Sequence, residues 1–252
     1  MIANILYKGK EYRIDLFQPI DISIPLHSGD DCVNAWYVPP MKISPVVMGD
    51  WIGDVNQGGS VNFKNITFNP HGNGTHTECL GHISKESFSI NKVLQKFFFT
   101  AELITVLPDQ KDKDWVITAK AIKAALEHKK AEALIIRTLS NSPSKLSMQY
   151  SNTNPPYLER EAIELIVSLG FDHLLIDLPS IDREQDEGKL TAHHIFWGYP
   201  ADPKTHRTIT ELIYVPNHVI DGTFILNLQI ASFENDASPS KPVLYAPMHL
   251  QQ

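Results

Sequence analysis

The sequence predicts an α/β protein with a mixed, partly parallel sheet flanked by helices, and three observations carry that prediction. Strand-type and amphipathic helical runs alternate through the second half of the chain: strand 101–107, helix 118–129, strand 133–137, helix 157–169 and strand 173–178. Such alternation argues for parallel strands joined by right-handed helical crossovers. The intervening strand runs are apolar and of the buried type. Finally, 252 residues, 42% apolar and 20% charged, can bury a sizeable core, and no internal repeat, low-complexity tract or clear linker divides them. A single domain over residues 1–252 is the expectation.

In chain order, Ile2–Tyr7 and residues 12–16 flank Lys8-Gly9-Lys10 and read as a β-hairpin. Residues 20–25 form a short strand, and 39–59, rich in Pro, Gly and Asp, an irregular excursion. The alternation in Val61-Asn-Phe-Lys-Asn-Ile-Thr-Phe68 reads as a strand that delivers the chain into the segment that follows. A short helix is expected over 91–98. Thr118 caps the next one, with Ile122, Ala125 and Leu126 on one face and lysines on the other. In the 157–169 helix, Leu158, Ala162, Leu165, Ile166 and Leu169 recur at helical spacing, and Gly170 is its stop.

The chemistry concentrates at residues 69–82. Three histidines (His71, His76, His82) and Glu78 fall within this stretch, in a chain with 11 histidines. Neutral imidazole and carboxylate are the mixture that fills zinc and manganese sites. If residues 76–78 are extended, His76 and Glu78 share one face while Thr77 and Cys79 share the other. Cys79 is then turned away and packs as a small apolar residue. Gly72 and Gly74 allow the tight turn that brings His71 back toward His76. This density points to metal binding or catalysis, although spacing alone does not name the reaction. A second constellation lies at Asp177-Leu-Pro-Ser-Ile-Asp182 and Leu190-Thr-Ala-His193-His194, and carboxylates follow at Glu211, Asp221 and Asp236. Asp236, in Asn235-Asp-Ala-Ser-Pro239, reads as a turn residue rather than a ligand.

The 69–82 segment resembles the signature of the cyclase-like metal-dependent hydrolases, the family of bacterial arylformamidase (kynurenine formamidase) and isatin hydrolase. That signature is His-x-Gly-Thr-His-x-Asp, with a further histidine four residues after the acid. Gly74-Thr75-His76 fits directly, Glu78 stands where the family has Asp, and His82 falls at the expected distance. Leu80 replaces the usual proline, and Gly72 occupies the first histidine's position, with His71 just before it. The resemblance implies a swivelling β/β/α fold. It implies metal ligands among His71, His76, Glu78, His193 and Glu211, with His194 the spare for His193 and Asp221 the second choice for Glu211. The Glu211 assignment requires about six extra residues, placed at 200–205, which a surface loop tolerates. His82 would handle protons as the catalytic residue, and Trp36 stands near an aromatic that the family places at the substrate pocket. The implied cofactor is a divalent metal, zinc first and manganese second. Whether one ion or two is left open, because Glu78 is one methylene longer than Asp.

The activity so implied is hydrolysis of a C–N amide bond in a small formamide or cyclic amide. The rival readings are a metal-dependent cyclase or dehydratase on a polyketide-like substrate, and a non-catalytic binding protein that kept the fold. The family's habit implies a homo-oligomer, a dimer or tetramer. The net charge of −7 carries no basic tract that would suggest nucleic acid or anionic lipid. The N-terminus lacks the marks of a signal peptide, no run is long enough to span a bilayer, and Cys32 and Cys79 make no disulfide framework. A cytoplasmic protein acting on a small molecule is the expectation.

Overall fold

The computed structural model describes residues 1–126 and 130–248. Strands β1 (Ile2–Tyr7) and β2 (Lys10–Asp15) form the expected antiparallel hairpin. Strand β3 (Ile20–Asp21) is shorter than expected: beyond it the chain leaves its strand partner, with Tyr214 N donating to the Ile22 carbonyl at 2.8 Å and Ser23 bridging Ile213. The 39–59 excursion is more regular than its composition suggests, since it holds β4 (Lys42–Pro45), β5 (Val47–Met48) and β6 (Trp51–Ile52). Strands β5 and β6 pair with each other, and β4 pairs with β7 (Lys64–Thr67). All four β7 residues are exposed, so this strand belongs to a side arm and not to the sheet that carries the histidines. That sheet receives the segment as β8 (His76–Glu78).

Helix α1 (Ile90–Val93) stops short of residue 98 because Phe98 already begins β9 (Phe98–Val106). Strands β10 (Asp109–Lys111) and β11 (Asp114–Ile117) form a hairpin ahead of α2 (Ala119–Leu126). The Thr118 hydroxyl accepts from Ala121 N at 3.2 Å and caps α2; residues 127–129 of the expected helix lie outside the described residues. After β12 (Ala133–Thr138), Tyr157–Leu158 is drawn into β13 beside β11, which is why α3 (Arg160–Ser168) starts later than its periodicity suggests. Gly170 ends it at φ 80°, the left-handed conformation of a helix stop. The chain continues through β14 (His173–Ile176), α4 (Thr191–Trp197), β15 (Thr208–Glu211), β16 (Gly222–Ile230) and β17 (Ala237–Tyr245).

The main sheet runs β16-β9-β12-β14-β15-β8-β17-β3, and because β16 also pairs with β17 its first seven strands close into a barrel. Strands β9, β12, β14 and β15 are mutually parallel, and the remaining pairings are antiparallel. This is the mixed, partly parallel sheet expected. The two-residue alternation divides the side chains between two cores. Leu134, Ile136, Leu174 and Ile176 pack outward against Ile122, Ile163, Ile166 and Phe196 of the helices. Leu103, Ile135 and Leu175 pack on the other face with Cys79, Leu226 and Leu244. Each such buried side chain contributes about 1.5–3 kcal/mol relative to exposure, which makes the barrel a rigid support for what stands at its rim. Among the described residues no helix is long and apolar enough to cross a membrane.

Candidate metal centre

Two neighbouring strands and one helix start bring the histidines and carboxylates together. Register places Glu211, the last residue of β15, directly opposite His76 on β8, and Ile209 opposite Glu78. Residues 76 and 78 are extended, so both side chains emerge on one face, as the sequence suggests. On the other face, Thr77 Oγ1 lies 2.8 Å from Thr210 Oγ1 and Cys79 joins the barrel core. His193 enters from the first turn of α4. Asp182 sets that start, accepting from Ala192 N at 2.8 Å and His193 N at 3.0 Å.

All five residues put forward as ligands, His71, His76, Glu78, His193 and Glu211, lie in one cluster. His193 Nε2 is 3.1 Å from Glu78 Oε1 and 3.8 Å from Glu211 Oε1. His71 Nδ1 is 3.1 Å from Glu78 Oε2, and His76 Nε2 is 3.4 Å from Glu211 Oε2. Among the described residues, three groups of ligand atoms fall within 4.8 Å of one another: His71 with His76 and Glu78, Glu78 with His82 and His193, and His71 with His82 and Asp236. His194 is elsewhere, its Nδ1 3.0 Å from the Tyr199 carbonyl oxygen. Asp221 also lies apart, accepting from Arg137 Nη2 at 2.9 Å.

Whether these residues fit a metal is tested by what their polar atoms lack. His76 Nε2 and Glu78 Oε2 are buried without a hydrogen-bond partner, because the carboxylate and imidazole atoms beside them stand near but out of alignment. A buried polar atom without a partner costs about 1–3 kcal/mol, so two in one cluster call for an occupant. Each of three histidines also has one ring nitrogen secured by an oxygen while the other faces the carboxylates. His76 Nδ1 meets the Gly74 carbonyl at 2.9 Å, His193 Nδ1 meets Asp182 at 2.6 Å, and His71 Nε2 meets Asp236 at 2.9 Å. A carbonyl only accepts, so the proton of neutral His76 sits on Nδ1 and the lone pair of Nε2 points inward. This is how metal-binding histidines are oriented, and the residues fit a divalent cation.

Charge compensation tells the same story. Burial alone would push His71 and His193 down. Asp236 and Glu78 acting on His71, and Asp182 and Glu78 acting on His193, outweigh it and raise both to about 10. Burial would likewise raise Glu78, but His82, His193 and His71 hold it well below the ordinary carboxylate range. The carboxylates that keep protons on these rings are the charges a divalent cation would neutralise.

Asp236 departs from its expected part as a turn residue. It does sit in the turn before β17, yet its Oδ2 is 2.9 Å from His71 Nε2 and 3.4 Å from His82 Nδ1, and these two rings hold its carboxyl well below the ordinary range. No local pattern could join residues 165 positions apart. Asp182, noted in the sequence only as part of a motif, proves to be the partner of His193. His82, in a 3-10 turn over Leu80–His82, also sits 3.8 Å from Glu78 Oε2 and is partly open to solvent. A cavity of about 280 Å³ opens beside the cluster, lined by His71, His82, His193, Glu211, Trp36, Ser180 and Arg183 among others. Trp36 stands in its wall with Nε1 donating to the Pro179 carbonyl at 3.3 Å.

Solved structures share this fold at low identity. A predicted metal-dependent hydrolase from Bacillus stearothermophilus is similar at TM-score 0.64 and 16% identity, over 90% of this chain and 98% of that one. Isatin hydrolase A from Ralstonia solanacearum is similar at TM-score 0.63 and 15% identity, over 91% and 92%. Isatin hydrolase A from Labrenzia aggregata is similar at TM-score 0.63 and 14% identity, over 92% and 94%. Comparison with curated proteins gives no match. The family model described as putative cyclase matches residues 14–183, well over half of the sequence, and the chain therefore belongs to the cyclase family.

Proposed function

We propose that the protein is a metal-dependent hydrolase that cleaves a C–N amide bond of a small formamide or cyclic amide, in the manner of an arylformamidase. The observation that carries this reading is the set of three histidines, each held at one ring nitrogen by an oxygen and each turning the other toward buried Glu78 or Glu211. Two further features support it: a fourth histidine stands on the wall of the adjoining cavity, and that cavity has the volume of a small molecule. The isatin hydrolases that share the fold are named for the hydrolysis of isatin, itself a cyclic amide, which agrees with the same class of substrate.

His71, His76, Glu78, His193 and Glu211 would hold the metal, zinc in the first instance and manganese in the second. When bound, a divalent ion supplies the pull on a carbonyl oxygen and the acidification of water that amide hydrolysis needs at neutral pH. The remaining work falls to the chain. Glu211 is kept from swinging away by the Ile181 N–H, which donates to Oε1 at 3.1 Å. His82 faces both the cluster and the cavity, so it can take the proton of water as the oxygen attacks the amide carbon. It returns that proton to the nitrogen as the C–N bond breaks, leaving a carboxylic acid and an amine. Trp36 presents an apolar wall against which a flat ring can lie.

The test is turnover by the metal-reconstituted protein against N-formyl anilides and lactams, followed by mass spectrometry for products that have gained one water. His82→Ala should abolish turnover and leave the metal content unchanged. Products that have lost water, or rearranged without gaining it, would instead favour a cyclase or dehydratase.

A further inference from the structure

The family pattern puts its first histidine where this chain has Gly72, and packing explains why none stands there. A Cβ on Gly72 would lie 2.4 Å from Val38 Cγ2 and 2.9 Å from the Ala35 carbonyl oxygen. Ala35 N also donates to the Gly72 carbonyl at 2.9 Å, so the two segments cannot part without losing that bond. The histidine sits one residue earlier, on a turn in which Asn69 Oδ1 accepts from His71 N at 2.9 Å and from Gly72 N at 3.1 Å. His76 has the Gly74 carbonyl to orient it, and His71 needs another acceptor. Asp236 meets that need. Its carbonyl accepts from Cys79 N at 3.0 Å, which ties it to the end of the strand that carries Glu78. Gly81 leaves room for it, since a Cβ there would come within 3.1 Å of Asp236 Cβ.

We infer that Asp236 is the positioning residue of the displaced histidine. It holds His71 Nε2, so that Nδ1, 3.1 Å from Glu78 Oε2, faces the buried carboxylates and serves as the metal-binding nitrogen that Gly72 cannot supply. This rests on the metal-centre reading above. The same Asp236 oxygen is 3.4 Å from His82 Nδ1, so the test must separate the two histidines.

The experiment measures zinc and manganese affinity of the full chain by competition with a chromogenic chelator, with a circular-dichroism melt of each metal-free variant. Asp236→Asn should bind metal about 10–100-fold more weakly at unchanged stoichiometry and melting temperature, the usual effect of removing the group that orients a ligand. Asp236→Glu, which keeps a carboxylate, should recover part of the loss, and a merely structural role would show no such rescue. The double variant with His71→Ala should bind no more weakly than His71→Ala alone, while Asp236→Asn should keep its full effect in a His82→Ala background. Wild-type affinity in Asp236→Asn, additivity with His71→Ala, or loss of one whole equivalent of metal would each overturn the inference, the last by making Asp236 a ligand itself. If the wild-type chain binds neither ion, the metal-centre reading fails, an outcome distinct from failure of the inference.

Discussion

Gly72 is a position at which a single methyl should disturb the site. In Gly72→Ala the new carbon would stand 2.4 Å from Val38 Cγ2, against an ordinary carbon–carbon separation of about 3.5–4.0 Å. The overlap exceeds roughly 1 Å, and the second obstacle is a backbone oxygen that cannot rotate aside. Overpacking of this kind costs about 1–3 kcal/mol. For a chain of this length each kcal/mol lowers the melting temperature by about 2–4 °C, so a fall of roughly 2–12 °C is expected. Val38 and His71 both line the cavity, so relief of the clash should displace His71 and weaken metal binding as well. Calorimetry and chelator competition on one preparation read both effects. A companion variant, His71→Gly with Gly72→His, moves the histidine one residue later, and it should bind metal no better than His71→Gly alone. A Gly72→Ala protein with wild-type melting temperature and metal affinity would show that the methyl is accommodated, as would full recovery of affinity in the swapped variant.

Three further outcomes are expected. Asp182→Asn weakens the hold on His193 Nδ1, now 2.6 Å from the carboxylate, and should lower metal affinity by about 10–100-fold while the protein stays folded. Glu78→Gln removes the charge that His71 and His193 share, and dialysis against chelator should then strip the metal under conditions that the wild type survives. Away from the site, burial pushes His173 down from 6.5 to about 4. The unfolded chain takes up that proton below about pH 6.5 and the folded chain only below about pH 4, so stability is whole above the first value and falls as pH drops toward the second. The loss reaches about 3 kcal/mol, and urea titrations of His173→Gln should show a flatter dependence over that window than the wild type.

Much of the architecture is legible in the chain because it rests on local rules. The buried strands β9, β12 and β14 and the helices between them announce themselves by apolar runs and helical spacing, and the extended His76-Thr77-Glu78 follows from the period of a strand. What sequence could not give are the pairings that cross the molecule. Tyr157 and Leu158 carry helical spacing, yet β11 recruits them into a strand. Residues 39–59 look irregular, yet β4 finds a partner in β7, a strand the alternation over 61–68 does announce, because an exposed two-stranded pair needs no apolar pattern of its own. At the site, His193 and Glu211 could be nominated by resemblance, whereas Asp236 looked like a turn former. It is a turn former, and its second part is visible only once β17 pairs with β8, with Ala237 opposite Glu78.

The metal centre is tested head-on by the metal stoichiometry of the purified chain after reconstitution with zinc or manganese and extensive dialysis. At least one tightly held equivalent is expected, removed by strong chelator, restored on readdition, and lost when His76 and Glu78 are replaced together. No retained divalent ion in the wild type, or equal retention in that double variant, would contradict that expectation.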